Sequence, residues 1–272
     1  GTIILWADRL TQVDGTVTAR GGAQAGDGGF IETSSNQWLS ITRSPDASAH
    51  NGKPGSWLLD PNNLTINANG PDTNLFSTAP GDFTTTADSA IIGADTITAA
   101  LNLGTNVTLS TAAAGSQAGD INVDAPIVTT AGSTTAGATP RLEAHNSINL
   151  NSSISSSANP LTLVLLTDQD GDGSGQLNWS SATLDLKGGN ASVNKGNPGP
   201  SLTLLDGDVT ITPGSNPALA AGSSLQAGNL SLTSGTLTVN GNLSTSGSYN
   251  QSGGTLNGSG TLTLNNTANN TW

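Results

Sequence analysis

The sequence predicts an all-β protein, and within that class a parallel β-helix with about three short strands per coil. Three observations carry this. Near the C-terminus Leu230, Leu237, Leu243, Tyr249, Leu256 and Leu262 recur every six or seven residues, so three strands fill roughly nineteen residues. Each repeat is two or three alternating apolar or Thr positions followed by Gly, Asn or Ser, as in "SLTSG", "TLTVNG", "NLSTSG" and "TLTLNN"; tight corners favour such residues because they tolerate positive φ. A β-sandwich would need longer strands and fewer corners.

Composition agrees. The 272 residues are only 10 % charged and 3 % aromatic, with 35 glycines, against about a quarter charged in an average domain. Hydroxyls and amides must therefore keep the surface wet. Regular short apolar runs such as "LTLVLL" and "GTLTLNN" distinguish the chain from a disordered polar tract. The formal charge of −12, from 19 acidic and 7 basic residues, opposes phosphate backbones and anionic lipid, so nucleic acid is not an expected partner. No apolar run is long enough for a membrane span. Cysteine is absent, which removes disulfides and thiolate sites, and methionine is absent too; the missing Met predicts that Gly1 is not a translation start.

Residues 1–70 read as β-helix coils, with strands in "TIILWA", "GTVTA", "GFIETS", "LSIT" and "NLTINA". Residues 71–104 read as an irregular Pro/Gly/Asp-rich excursion followed by one short helix at 95–103. There Asp95 is the expected N-cap, Ile97, Leu101 and Leu103 the apolar positions, and Gly104 the terminator. Residues 105–272 resume the coils through "NVTLST", "GDINVD", "RLEAHNSINLNSSI", "LTLVLL" and "ATLDL" and end in the Gly/Ser/Thr/Asn-rich repeats, as one continuous solenoid.

"IILWADRLTQVDGTVTARGGAQAGDGGFIETSSNQWLSI" and "GSWLLDPNNLTI" resemble the exoproteins of bacterial two-partner secretion systems, of the filamentous-haemagglutinin and high-molecular-weight adhesin type. Later segments, including "ITAALNLGTNVTLST" and "LEAHNSINLNSSI", are similar to successive coils of those proteins. The most specific stretches are "GDGGFIETS" and "WLLDPNNLTI". The resemblance implies a right-handed parallel β-helix, secretion through an outer-membrane partner transporter, an extracellular or cell-surface location, and a role in adhesion to host cells, abiotic surfaces or sister molecules. No segment resembles the secretion domain of such exoproteins, so the chain is expected to be an internal shaft segment.

One motif points to chemistry. Asp168, Asp170 and Asp172 precede Gly173 in "TDQDGDGSG", the first half of an EF-hand loop, in which alternate carboxylates converge on calcium. The second half fails, since Trp179 stands where a bidentate Glu is required and strands flank the loop. An acidic turn is the preferred expectation, with a calcium site as the alternative.

No catalytic residue is assigned. Polysaccharide-degrading β-helices need converging acids, whereas the pairs Asp120/Asp124 and Asp206/Asp208 fall at strand ends, and neither His50 nor His145 has a nucleophile or ligand set around it in sequence. The tryptophans read as packing residues, with Trp6 and Trp57 in core or coil-edge settings and Trp38 and Trp179 less defined. Roughly ten N-x-S/T sequons occur, including Asn106, Asn151, Asn178 and Asn229, close to what chance predicts. The expected function is structural and adhesive, with a self-assembling fibre subunit as the first alternative and a polysaccharide-degrading enzyme as the second.

Overall fold

The computed structural model describes residues 1–36, 38–68, 75–79, 82–85, 90–112, 117–130, 138–196, 205–206, 209–211, 215–265 and 270–272. It is a parallel β-helix. The first face stacks β1 (Thr2–Ala7), β3 (Phe30–Ser35), β5 (Ser56–Asp60), β10 (Asn106–Ser110), β13 (Pro140–Glu143), β16 (Leu163–Thr167), β19 (Asn190–Lys195), β23 (Ser224–Ala227), β26 (Asn242–Thr245) and β29 (Thr261–Leu264), with β20 (Leu205–Asp206) antiparallel on β19. The second runs β9 (Ala90–Gly93), β6 (Leu64–Asn67), β11 (Ile121–Val123), β14 (Ile148–Leu150), β17 (Leu177–Trp179), β21 (Val209–Ile211), β24 (Leu230–Leu232) and β27 (Tyr249–Gln251). The third runs β12 (Ile127–Thr129), β15 (Ile154–Ser156), β18 (Thr183–Asp185), β22 (Ala218–Leu219), β25 (Thr236–Val239) and β28 (Thr255–Asn257). Two small sheets complete it, β2 (Leu10–Val13) parallel to β4 (Trp38–Ile41), and an antiparallel hairpin of β7 (Leu75–Ala79) and β8 (Asp82–Thr85).

Alternation builds the core. In β5 and β6 every second residue is buried, placing Trp57, Leu59, Leu64 and Ile66 inside, and in-register stacking extends each into a column: Ile3, Ile31, Trp57 and Val107 on the first face, Leu64, Ile121, Ile148 and Leu177 on the second. The C-terminal periodicity is realised in the same way. Leu230 pairs with Tyr249, Leu237 with Leu256 and Leu243 with Leu262, each nineteen residues on.

That spacing is local. On the first face Thr2 pairs with Phe30, Phe30 with Ser56, Ser56 with Asn106 and Val107 with Pro140, steps of 28, 26, 50 and 33 residues. In the first two coils no described strand lies on the third side, and the step of 50 takes in β7, β8, β9 and the helix Ala94–Leu103. "GTVTA" is accordingly no strand and contributes only an isolated bridge from Thr18 to Asp46. Backbones meet closely there: a Cβ on Gly55 would lie 2.2 Å from the Gly29 carbonyl oxygen, so the Gly-rich motifs of the first coils are where successive corners touch.

The helix α1 (Ala94–Leu103) occupies the third side of the third coil and packs against β12, covering the first strand of that face. Asn102 imitates a strand neighbour: its Oδ1 accepts from the Thr130 backbone N–H at 2.9 Å and its Nδ2 donates to Thr130 Oγ1 at 3.0 Å. Gly104 terminates α1 in the left-handed conformation, φ 88, as expected. The N-cap differs. It is Gly93, the last residue of β9, with no side-chain cap, because the strand runs directly into the helix; Asp95 sits in the first turn, where its charge favours the helix dipole and its Oδ1 accepts from Thr96 N–H at 2.9 Å. The excursion at 71–104 is also less irregular than expected, since it contains the hairpin of β7 and β8.

Among the described residues β9 breaks the strand order of the second face. β9 pairs with β6 on the edge opposite β11, so a later strand sits on the N-terminal side of an earlier one.

Candidate functional site

The acidic motif forms a corner between the first and second faces, after β16. Asp168 is a non-glycine residue at positive φ, 55, which Asp tolerates better than most. It is nearly buried, at 3 % exposure. Its backbone N–H donates to the Asn146 carbonyl at 2.9 Å, its carbonyl accepts from Gly171 and Gly196 N–H at 3.0 Å each, and its Oδ1 accepts from Gly173 N–H at 2.9 Å. Asp172 Oδ1 accepts from the Ser174 N–H at 2.8 Å and from the Ser174 hydroxyl. The motif therefore builds the acidic turn, closed by carboxylate bonds to backbone within the loop.

Its electrostatics are uneven. One oxygen from each of Asp168, Asp170 and Asp172 lies within 4.8 Å of the others. Burial pushes the Asp168 carboxyl above its ordinary range, with Asp170 and Asp172 adding to the shift and the Gly173 N–H opposing it. Asp172 is held below that range by Ser174. His145 Nδ1 lies 3.5 Å from Asp170 Oδ2. Among the described residues the three carboxylates form a group that could hold a hard cation, with oxygen ligands of the kind calcium takes. Trp179, twelfth in the motif, is fully buried and donates from Nε1 to the Ala182 carbonyl at 3.0 Å, which removes it from any ligand set.

Stacking joins two other acids that are far apart in sequence. Glu32 of β3 and Asp60 of β5 share the outer surface of the first face, in a register that sets Glu32 beside Leu58 and Ser34 beside Asp60. The Ser34 hydroxyl donates to Glu32 Oε1 at 2.9 Å. Burial raises the Asp60 pKa and Glu32 raises it further, while a Ser110 hydrogen bond opposes both. Sequence reading missed this pair because 28 residues separate its members; only the 26-residue step between β3 and β5 reveals it. Farther along this face Glu143 is bound to Arg141.

Asp120 and Asp124 are both hydrogen-bond acceptors. Asp120 Oδ1 accepts from Asn146 Nδ2 at 2.8 Å and Ser147 N–H at 3.0 Å, and Asp124 Oδ1 from Asn151 Nδ2 at 2.8 Å. Between them on the second face runs an amide ladder: Asn149 Nδ2 donates to Asn122 Oδ1 and Asn178 Nδ2 to Asn149 Oδ1, both at 2.8 Å. Asp206 lies opposite Asn194 in β20, and Asp208 falls outside the described residues. His50 is exposed.

Trp38, Trp57 and Trp179 are buried, as packing residues should be, but Trp6 is 54 % exposed. Alternation along β1 turns Ile3 and Leu5 inward and leaves Ile4 and Trp6 outside.

No helix among the described residues is long and apolar enough to cross a membrane. No family model matches the chain, and no curated protein matches it.

Proposed function

We propose that this chain is a shaft segment of a large secreted bacterial exoprotein of the two-partner secretion type, presenting adhesion to host cells, abiotic surfaces or sister molecules. The observation that supports this best is the ten-strand parallel stack of the first face, which at roughly 4.8 Å per strand makes a rod about 43 Å long. Coil-on-coil hydrogen bonds stiffen it, and an outer surface of bonded amides and hydroxyls keeps it weakly charged. Folding suits export, because each coil emerging from a transporter finds the edge of the previous one as a template.

The test is saturable binding of the labelled chain to epithelial cells and to abiotic surfaces, with calcium and with chelator. Binding lost in chelator assigns a calcium-dependent contact to the Asp168 loop. Release of reducing ends from a glycan panel would replace the shaft reading with an enzyme, using acids such as Glu32 and Asp60. A fibre subunit is the second reading, supported by apolar side chains only half-buried on the first and last coils, Ile3 and Leu5 at one end and Leu256, Leu262 and Leu264 at the other. Sedimentation at rising concentration tests it, and a persistent monomer rejects it.

A further inference from the structure

The break in strand order has a mechanical counterpart. β9 pairs with β6 in register, Leu64 with Ala90 and Ile66 with Ile92, and Ala90 N–H donates to the Asn63 carbonyl at 3.0 Å. On its other side β9 packs against β4, yet no ladder joins the two, and the sheet of β2 and β4 ends there. On the second face each other pair of strands that follow one another up the stack, from β6 to β27, is paired. Trp38 of β4 is itself buried at 1 % exposure, and its Nε1 has no hydrogen-bond partner. A buried N–H left unpaired costs about 1–3 kcal/mol, and an unpaired strand edge is a template for whatever strand can reach it.

We propose that β9 is a latch with two seats. When seated, it wedges between β4 and β6 and completes the third coil from behind. When withdrawn, it lets β6 pair directly with β4, the coil-on-coil arrangement used elsewhere in the molecule, so the lost burial of Ala90 and Ile92 is offset by a new ladder on two strand edges. Gly93 is the pivot. Beyond it α1 stays anchored, because Ser44 Oγ donates to the Thr96 carbonyl at 2.7 Å and Thr105 Oγ1 accepts from Ala47 N–H at 2.9 Å. The first face is not disturbed, since β3, β5 and β10 pair in unbroken order. The latch goes beyond the shaft reading and does not depend on it.

Hydrogen exchange on the full chain tests this. Replacing Ile92 with Asp unseats β9; the expected result is loss of protection at Ala90–Gly93 together with about tenfold greater protection at Trp38–Ile41, while Val107–Ser110 on the first face is unchanged. Ordinary local unfolding gives the opposite, and protection at Trp38–Ile41 that falls or stays constant overturns the proposal. Should Ile92→Asp also lower protection at Val107–Ser110, Ile92→Ala supplies the same reading with a smaller gain. Thr65 and Ile91 are register partners on adjacent strands, within reach of a disulfide, and the chain has no cysteine to compete. Oxidising Thr65→Cys/Ile91→Cys in the Ile92→Asp background must abolish the gain at Trp38–Ile41; a gain that survives the staple also overturns the proposal.

Discussion

The coils at the two ends of this molecule solve one problem with different material. Near the C-terminus a coil spends eighteen or nineteen residues, as from Ser224 to Asn242 and Asn242 to Thr261. Leu and Val fill its inside, and single side chains close its corners: Asn229 Oδ1 accepts from the Ser248 N–H at 2.7 Å and its hydroxyl at 3.0 Å. Coils in the first 112 residues take 28, 26 and 50 residues, the first two with no described strand on the third face, and rely on a buried indole and on glycine backbones in contact. A small coil can be specified by repetition. A large one must be specified by individual residues.

The largest expected effect separates these two modes. Trp57 is fully buried and donates from Nε1 to Thr33 Oγ1 at 2.9 Å, so Trp57→Ala should cost about 4 kcal/mol, against about 3 kcal/mol for Leu237→Ala in a small coil. Urea unfolding measures the costs and hydrogen exchange their spread. Damage from Trp57→Ala should reach its register neighbours Ile31 and Val107, whereas Leu237→Ala should stay near Leu256. Equal spread from both sites would erase the distinction.

Gly55→Ala should come next, at about 2 kcal/mol of overpacking, because its Cβ would meet two carbonyl oxygens, of Gly29 at 2.2 Å and Ala47 at 2.6 Å. Gly15, with nothing within 4 Å of its Cβ position, is the control, and Gly15→Ala should leave the urea midpoint unchanged.

The smallest effect concerns the acidic corner. Because the folded-state pKa of Asp168 is raised, its ionised form penalises folding; the penalty is absent below the ordinary carboxylate value and grows as pH rises through the folded value. Asp168→Asn keeps an acceptor for Gly173 N–H and removes the charge, so it should raise the melting temperature at neutral pH and leave it unchanged at pH 3. Thermal melts at the two pH values check this. A stabilisation equal at both would assign the effect to conformation instead of charge.

Legibility in the sequence follows the same division. The stack of Leu230, Leu237, Leu243, Tyr249, Leu256 and Leu262 could be read directly, because there the period is short and uninterrupted. Upstream most strands of the first face were legible, though "GTVTA" was not a strand, but their partners were not, since steps of 26 to 50 residues hide which strand lies on which. Glu32 and Asp60 consequently went unpaired in the sequence reading, and β9 was absorbed into the excursion. The Asp168 turn was legible for a local reason: its spacing and its hydrogen bonds belong to one loop. Trp6 was misplaced because an aromatic in an apolar run looks like core until alternation assigns it a side.

The amide ladder gives the rod a direction. Asn149 donates to Asn122, Asn178 to Asn149, Asn146 to Asp120, Asn151 to Asp124, Ser180 to Asn151 and Thr210 to Gln176, in every case from a later coil to an earlier one. Two of these rows finish at Asp120 and Asp124, and an ionised carboxylate can only receive. The two acids thus act as the ground floor of those two rows: they fix which way Asn146, Asn151 and Ser180 face, as a single one-way sign orders a whole street.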